Sequence, residues 1–152
     1  KKVNPNIKLH MIGKLQSNKA KEAVKLFDYI HSLDNKKLAN ILAKFENTEN
    51  KKLKYFIQVN VGNEKQKSGI GMELVDDFYY YCTKELNINV IGLMAIPPND
   101  GNESIYFENL MELNKSLALK ELSMGMSNDF KKALQHEATF VRIGSFIFGN
   151  RV

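Results

Sequence analysis

The sequence predicts an α/β protein of the (β/α)8 TIM-barrel type, and three observations carry that prediction. Strand-like apolar runs and helix-like periods alternate along the whole chain. The runs are almost continuously apolar, as strands become when crossover helices cover both faces of a parallel sheet. No Gly-x-Gly-x-x-Gly follows the first strand, which counts against an open dinucleotide-binding sheet. A full barrel needs eight βα units and usually about 250 residues. The 152 residues here carry six strands and five connecting helices, so the expectation is a single barrel domain over 1–152 with about six of the eight units.

Each element has its own signal. Residues 8–12 (Lys-Leu-His-Met-Ile) form a short strand broken by Gly13. Ser17 can cap the next helix, whose apolar positions Ala20, Ala23, Val24 and Phe27 follow helical spacing. Residues 29–33 are the second strand. Asp34 then caps a helix with Leu38, Ile41, Leu42 and Phe45 on one face. The run 55–61 is the clearest strand, followed by a loop over 62–71 and a helix on Leu74, Val75, Phe78 and Cys82. Residues 89–95 form a strand stopped by Pro97 and Pro98, and a helix over about 104–119 follows. Two apolar strands close the chain, the second continuing toward residue 149, with a short helix over 128–135 between them.

Composition excludes several classes of function. The excess of 22 Lys+Arg over 17 Asp+Glu gives a net charge of +5. The lysines are scattered, without interleaved aromatics, as on solvated helix faces, so no nucleic-acid partner is expected. Cys82 is the only cysteine, which leaves no disulfide framework and no thiolate zinc site and reads as a buried thiol. The longest apolar run, 90–96, is too short to cross a bilayer, and no signal peptide opens the chain. A reducing, cytoplasmic setting without a membrane partner is the expectation. His10, His31 and His136 lack metal-ligand spacing, and no Gly-x-Ser-x-Gly supports a nucleophile elbow.

The closing segments carry the candidate site. In a parallel α/β protein, ligands lie at the C-terminal ends of the strands. Both final strands run into Ser and Gly positions there: Ser123, Gly125 and Ser127, then Gly144 and Ser145. Open backbone N–H groups without a Cβ suit a phosphate, although Gly144 and Ser145 could equally serve tight strand packing. Strand alternation places Phe140, Arg142 and Gly144 on the inner face, opposite Val141 and Ile143. A buried arginine must be paired or hydrogen-bonded, so Arg142 meets either an internal carboxylate or a ligand. Ser127 reads first as the cap of the helix on Phe130 and Leu134. Asn60 shares the inner face with Phe56 and Gln58, as a core amide or a ligand contact, and His31 lies near a strand end. The inference is a small phosphorylated ligand held by the last two strands.

Six segments occur in a telling order: Ile12-Gly-Lys-Leu-Gln-Ser-Asn-Lys19, Ile30-His-Ser-Leu-Asp34, Val59-Asn-Val61 with Lys67-Ser-Gly69, Gly92-Leu-Met-Ala-Ile-Pro97, Leu122-Ser-Met-Gly-Met-Ser127, and Val141-Arg-Ile-Gly-Ser-Phe-Ile-Phe-Gly149. Together they resemble the pyridoxal phosphate homeostasis proteins (the YggS/PROSC family). The resemblance implies the alanine-racemase-like barrel of fold type III pyridoxal-phosphate proteins and a bound pyridoxal 5′-phosphate. It matches Arg142 to the arginine facing the pyridine nitrogen, and Ser123, Met124, Gly144 and Ser145 to the phosphate-binding strand ends. An arginine there leaves the ring nitrogen unprotonated and the cofactor a weak electron sink.

The expected function is therefore intracellular pyridoxal-phosphate binding and homeostasis, without catalysis. Pyridoxal-phosphate-dependent apoenzymes are the expected acceptors, and the completed protein is expected to be a monomer. A racemase-like enzyme and an inert fragment of a longer binder are the alternatives. The family's cofactor lysine and Gly-Glu-Asn motif precede the Ile-Gly-x-Leu-Gln-Ser-Asn-Lys segment, which only eleven residues precede here. Lys14 and Lys19 belong to that later segment. The chain is thus expected to lack the first two strands and the covalent anchor, and to hold the phosphate and pyridine half of the site. Glu137 stands where the family has glycine, Asn128 where it has aspartate, and the connection between Ile105 and Leu122 is short.

Overall fold

The computed structural model describes Asn4 and residues 6–149. Six parallel strands form its main sheet in the order β1 (His10–Met11), β2 (Tyr29–Leu33), β3 (Lys54–Asn60), β5 (Val90–Met94), β6 (Glu121–Met126) and β7 (Phe140–Arg142). A two-residue strand, β4 (Ile70–Gly71), pairs beside Val59 and Asn60 of β3. Consecutive strands of the main path are neighbours and all run parallel, so each connection must cross over the sheet face. Five helices make those crossings: α1 (Ala20–Leu26), α2 (Lys36–Thr48), α3 (Val75–Tyr80), α4 (Glu103–Ser116) and α5 (Phe130–Gln135). The sheet curls into part of a barrel. Its two ends face each other across the interior, where the Phe140 ring of β7 lies 5.8 Å from His10 of β1.

The core lies between the outer sheet face and the helices. Ala20, Ala23 and Val24 of α1, Leu38, Ala39 and Leu42 of α2, Val75 and Phe78 of α3, and Phe107 and Leu110 of α4 are buried against Ile30, Ile57, Leu93 and Leu122. Two polar devices close this layer. Lys51 Nζ donates to the carbonyls of Val24 (2.7 Å), Lys25 (3.0 Å) and Phe27 (2.7 Å), taking up acceptors that the end of α1 leaves free. Buried Glu46 accepts from Leu53 N at 2.6 Å and Tyr55 Oη at 3.1 Å, and pairs with Lys52 at 3.1 Å. Among the described residues, no helix is long and apolar enough to cross a membrane.

The elements follow the sequence prediction with local corrections. Asn35, not Asp34, caps α2, its Oδ1 accepting from Leu38 N at 2.8 Å. Asp34 accepts from the Asn35 amide instead. Ser17 opens a 3-10 turn before α1 and makes no side-chain cap. Leu74 is exposed, and α3 continues as a π-turn over Tyr81–Glu85. The final apolar run is not one strand. Its pairing ends where Arg142 meets Met126, the last residue of β6. Without a ladder partner the next residues close their own bonds, Ile147 N and Phe148 N each to Gly144 O at 2.9 Å, and form α6 (Ser145–Phe148).

Candidate functional site

A cavity of about 1150 Å³ opens at the C-terminal ends of the strands, bounded by β1, β2 and β7 and by the loops after β5, β6 and β7. Period-two alternation turns one face of each strand inward. His31 of β2, Phe56 of β3, Ser123 of β6, and Phe140 and Arg142 of β7 meet there. The His31 ring stacks on Phe56 at 4.3 Å and meets the edge of Phe140 at 6.0 Å. Phe56 and Phe140 pack edge to face at 5.3 Å.

Arg142 is buried in this layer. Nη1 donates to Ser123 Oγ at 2.7 Å and Nη2 to the Ala95 carbonyl at 2.9 Å. Both acceptors are neutral, and among the described residues no carboxylate ion-pairs with the guanidinium. Burial pushes its pKa down to about 10, while the charge of Asp129 acts the other way. The arginine thus stays charged at neutral pH, is held by two bonds that leave further donors of its fork unused by them, and lines the cavity.

His31 is almost fully buried, with Nδ1 2.8 Å from Ser123 Oγ and Nε2 3.0 Å from His10 Nδ1. Burial, then the charges of His10 and Arg142, push its pKa down to about 3, so the ring is neutral at physiological pH. His10 borders the cavity, stacked on Tyr29 at 4.1 Å, and is held below the ordinary histidine value chiefly by burial.

The other end of the cavity offers donors and open backbone. A Cβ built on Gly144 would meet nothing within 4 Å, so a ligand group can reach that peptide. Ser145 is exposed as the first residue of α6. Ser127 does not cap α5. Its Oγ accepts from Gly144 N at 3.3 Å and Phe146 N at 3.2 Å, tying the β6 loop to the β7 loop. The turn before α5 is closed by Asp129 Oδ1, which accepts from Met126 N at 2.6 Å. Gly125, at φ +93°, lets α5 approach β6 closely, since a Cβ there would lie 2.7 Å from Ala133 Cβ. Lys132 and Glu103, paired at 2.8 Å, border the rim.

The remaining candidates lie elsewhere. The Ser123 hydroxyl is fully buried and engaged by Arg142 and His31, so it supports the arginine. Met124, next on the strand, is turned outward by alternation and fully buried in the main core. Asn60 closes the loop after β3, accepting from Glu64 N at 3.2 Å and donating to Glu64 O at 3.0 Å. It borders a separate cavity of about 310 Å³ with Lys14, Gln58, Lys67 and Ser68. His10 and the Ala95 carbonyl join the site from positions that sequence reasoning left aside. The only signal for His10 was its place on the first strand, because partners 21 and 92 residues apart form no linear pattern.

Comparison with known proteins agrees with this architecture. The profile of the alanine racemase N-terminal domain family matches residues 3–152. A pyridoxal phosphate homeostasis protein of Aquifex aeolicus is 41% identical over 155 residues, covering 96% of this chain and 68% of that protein. The Escherichia coli protein of the same name is 33% identical, covering 93% and 64%. The chain spans about two thirds of the length of these curated relatives. Among solved structures, PipY of Synechococcus elongatus with PLP bound superposes with a TM-score of 0.88 at 30% identity, covering 97% of this chain and 73% of PipY. Alanine racemase of Corynebacterium glutamicum shares the fold, with a TM-score of 0.72 at 13% identity. The chain belongs to the alanine racemase N-terminal domain family and, within it, to the pyridoxal phosphate homeostasis proteins.

Proposed function

We propose that this chain binds pyridoxal 5′-phosphate as part of cofactor homeostasis, with Arg142 at the pyridine side and Gly144, Ser145 and Ser127 at the phosphate side. The observation that carries this reading is the pairing of a buried, charged arginine held by neutral acceptors with open glycine and serine positions at the other end of one cavity. The donor set fits the cofactor. The guanidinium supplies a hydrogen-bond donor that does not give up its proton, as an unprotonated ring nitrogen requires. Gly144, whose own N–H goes to Ser127, leaves room for an oxyanion, and the Ser127 and Ser145 hydroxyls can donate to it. His31, His10 and Phe140 would wall the site with uncharged rings.

Pyridoxal phosphate supplies an electron-accepting ring, and an arginine opposite its nitrogen keeps that capacity low. The protein is accordingly a carrier, not a catalyst. Its recipients are pyridoxal-phosphate-dependent apoenzymes, and it works as a cytoplasmic monomer. The residues gathered here are those of non-covalent binding.

The test is a thermal melt and absorbance titration with pyridoxal phosphate and with pyridoxal, its phosphate-free form. A ligand specific for the folded state stabilises it by about 2.7 kcal/mol at a hundred-fold excess over Kd. The phosphorylated ligand is expected to raise Tm saturably and pyridoxal far less, with Arg142→Ala weakening the effect at least ten-fold. Equal responses to both ligands, or none at millimolar pyridoxal phosphate, would refute the reading. No exchange of the alanine α-proton in deuterated water is expected, and observed exchange would favour a racemase-like enzyme.

A further inference from the structure

Four polar side chains from four strands meet end to end across the interior. His10 Nδ1 of β1 lies 3.0 Å from His31 Nε2 of β2, and His31 Nδ1 lies 2.8 Å from Ser123 Oγ of β6. Arg142 of β7 donates to that same Oγ at 2.7 Å. Of these four, the binding site proposed above takes a hydrogen bond only from the last.

Hydrogen-bond arithmetic sets the order of the protons. A guanidinium only donates, so Ser123 Oγ accepts from Arg142. The Ser123 hydroxyl proton then has one neighbour able to take it, His31 Nδ1. With Nδ1 accepting, neutral His31 carries its proton on Nε2 and donates to His10 Nδ1, which leaves the His10 proton on its own Nε2. The reverse order, with His31 Nδ1–H donating to Ser123, strands the serine proton without an acceptor in a fully buried site. One proton order satisfies every group.

That order holds only while His10 is neutral. A protonated His10 carries protons on both nitrogens, so two donors would confront each other at the 3.0 Å contact. His31 could then accept only by moving its proton to Nδ1. Ser123 Oγ would receive two donors and its own proton would lose its acceptor.

We propose that His10, His31 and Ser123 are positioning residues for Arg142, forming a proton-ordered relay that fixes the guanidinium when His10 is neutral and loosens it when His10 is protonated. The charged and titratable groups around the relay are few. Asp28 favours the charged form of His10, but burial outweighs it. Tyr29 stacks on His10 and has Lys54 Nζ 3.4 Å from its hydroxyl. Arg142 opposes charge on His31, and Asp129 favours the charge on Arg142. The net effect leaves the relay in its ordered form at neutral pH. The geometry of the relay stands by itself, and its consequence for cofactor affinity rests on the reading above.

Two measurements test it separately. Long-range proton–nitrogen NMR of the histidine-labelled chain is expected to show both rings as Nε2–H tautomers at pH 7.5, with His31 shifts following the titration of His10 on acidification. An Nδ1–H His31 at pH 7.5, or His31 shifts that ignore His10, overturns the relay even if no cofactor binds. The second measurement is pyridoxal phosphate affinity between pH 8 and 5.5. His31→Phe keeps the stacking but no acceptor, and is expected to bind roughly ten-fold more weakly. His31→Asn keeps an acceptor for Ser123 and is expected to recover most of that loss. The His10→Asn profile is expected to be flatter than the parent's, since the ligand phosphate titrates equally in both. Equal losses in the two His31 variants, or superimposable profiles for parent and His10→Asn, would show mere packing and overturn the proposal. Absence of binding in every protein, with the tautomers as expected, would sink the cofactor reading and leave the relay standing.

Discussion

At the scale of single residues, strain and function separate cleanly. Glu137 has φ +64°, in the left-handed region that costs a side-chain-bearing residue about 1 kcal/mol. It ends α5 at the position where the family resemblance places glycine, and its pair with Lys115 at 2.8 Å is solvent-exposed, so that pair contributes little. Glu137→Gly is therefore expected to raise stability by about 0.5 kcal/mol, after the extra entropy glycine gives the unfolded chain. Urea denaturation checks this, and a loss of stability would mean that the Lys115 pair outweighs the backbone strain. Cys82 is inert by the same logic of environment. Burial pushes its thiol up to about 12, far from a reactive thiolate.

At the scale of elements, the ends decide what periodicity leaves open. The apolar faces of α1, α2 and α4 bury as their spacing predicts, but the residue that starts α2 is Asn35 and not its acidic neighbour. Asn35→Ala removes the acceptor for Leu38 N and is expected to cost about 1 kcal/mol, whereas Asp34→Ala should cost a few tenths at most. Comparable losses in the two variants by chemical denaturation would contradict the assigned cap. The last element shows a stronger effect of context. Phe146, Ile147 and Phe148 have strand-like sequence, yet form a short helix with 76%, 66% and 85% exposure, because no neighbouring strand is present to pair with them among the described residues.

At the scale of the whole molecule, the buried histidines make stability depend on pH. His31 titrates near 6.5 when unfolded and near 3 when folded, so between these values the unfolded chain holds more protons and acidification favours unfolding. Each pH unit within that window is worth about 1.4 kcal/mol, so His31 contributes about 2 kcal/mol less at pH 5 than at pH 7. His10 is shifted in the same direction and adds to the loss. Stability above pH 7 should be insensitive to either group. Urea midpoints at pH 5 and 7 measure the difference, and His31→Phe should remove most of it. A variant that keeps the full acid sensitivity would place its origin in other groups.

The amino-acid sequence by itself determined the alternating parallel architecture and its order of strands, because apolar spacing is a local consequence of 3.6-residue and two-residue periods. It also determined that Arg142 faces inward, since alternation along a strand needs no knowledge of neighbours. Only the tertiary structure decided which atoms meet. It set the Ser123 hydroxyl under Arg142, moved Ser127 from a helix cap to the next loop, and turned Met124 into the core and Asn60 toward Glu64. It also joined His10 to His31 across the curled sheet. The physical reason is that hydrogen bonds between side chains depend on distances of a few tenths of an ångström across strands far apart in sequence, and curvature of the sheet, which no single segment encodes, sets those distances.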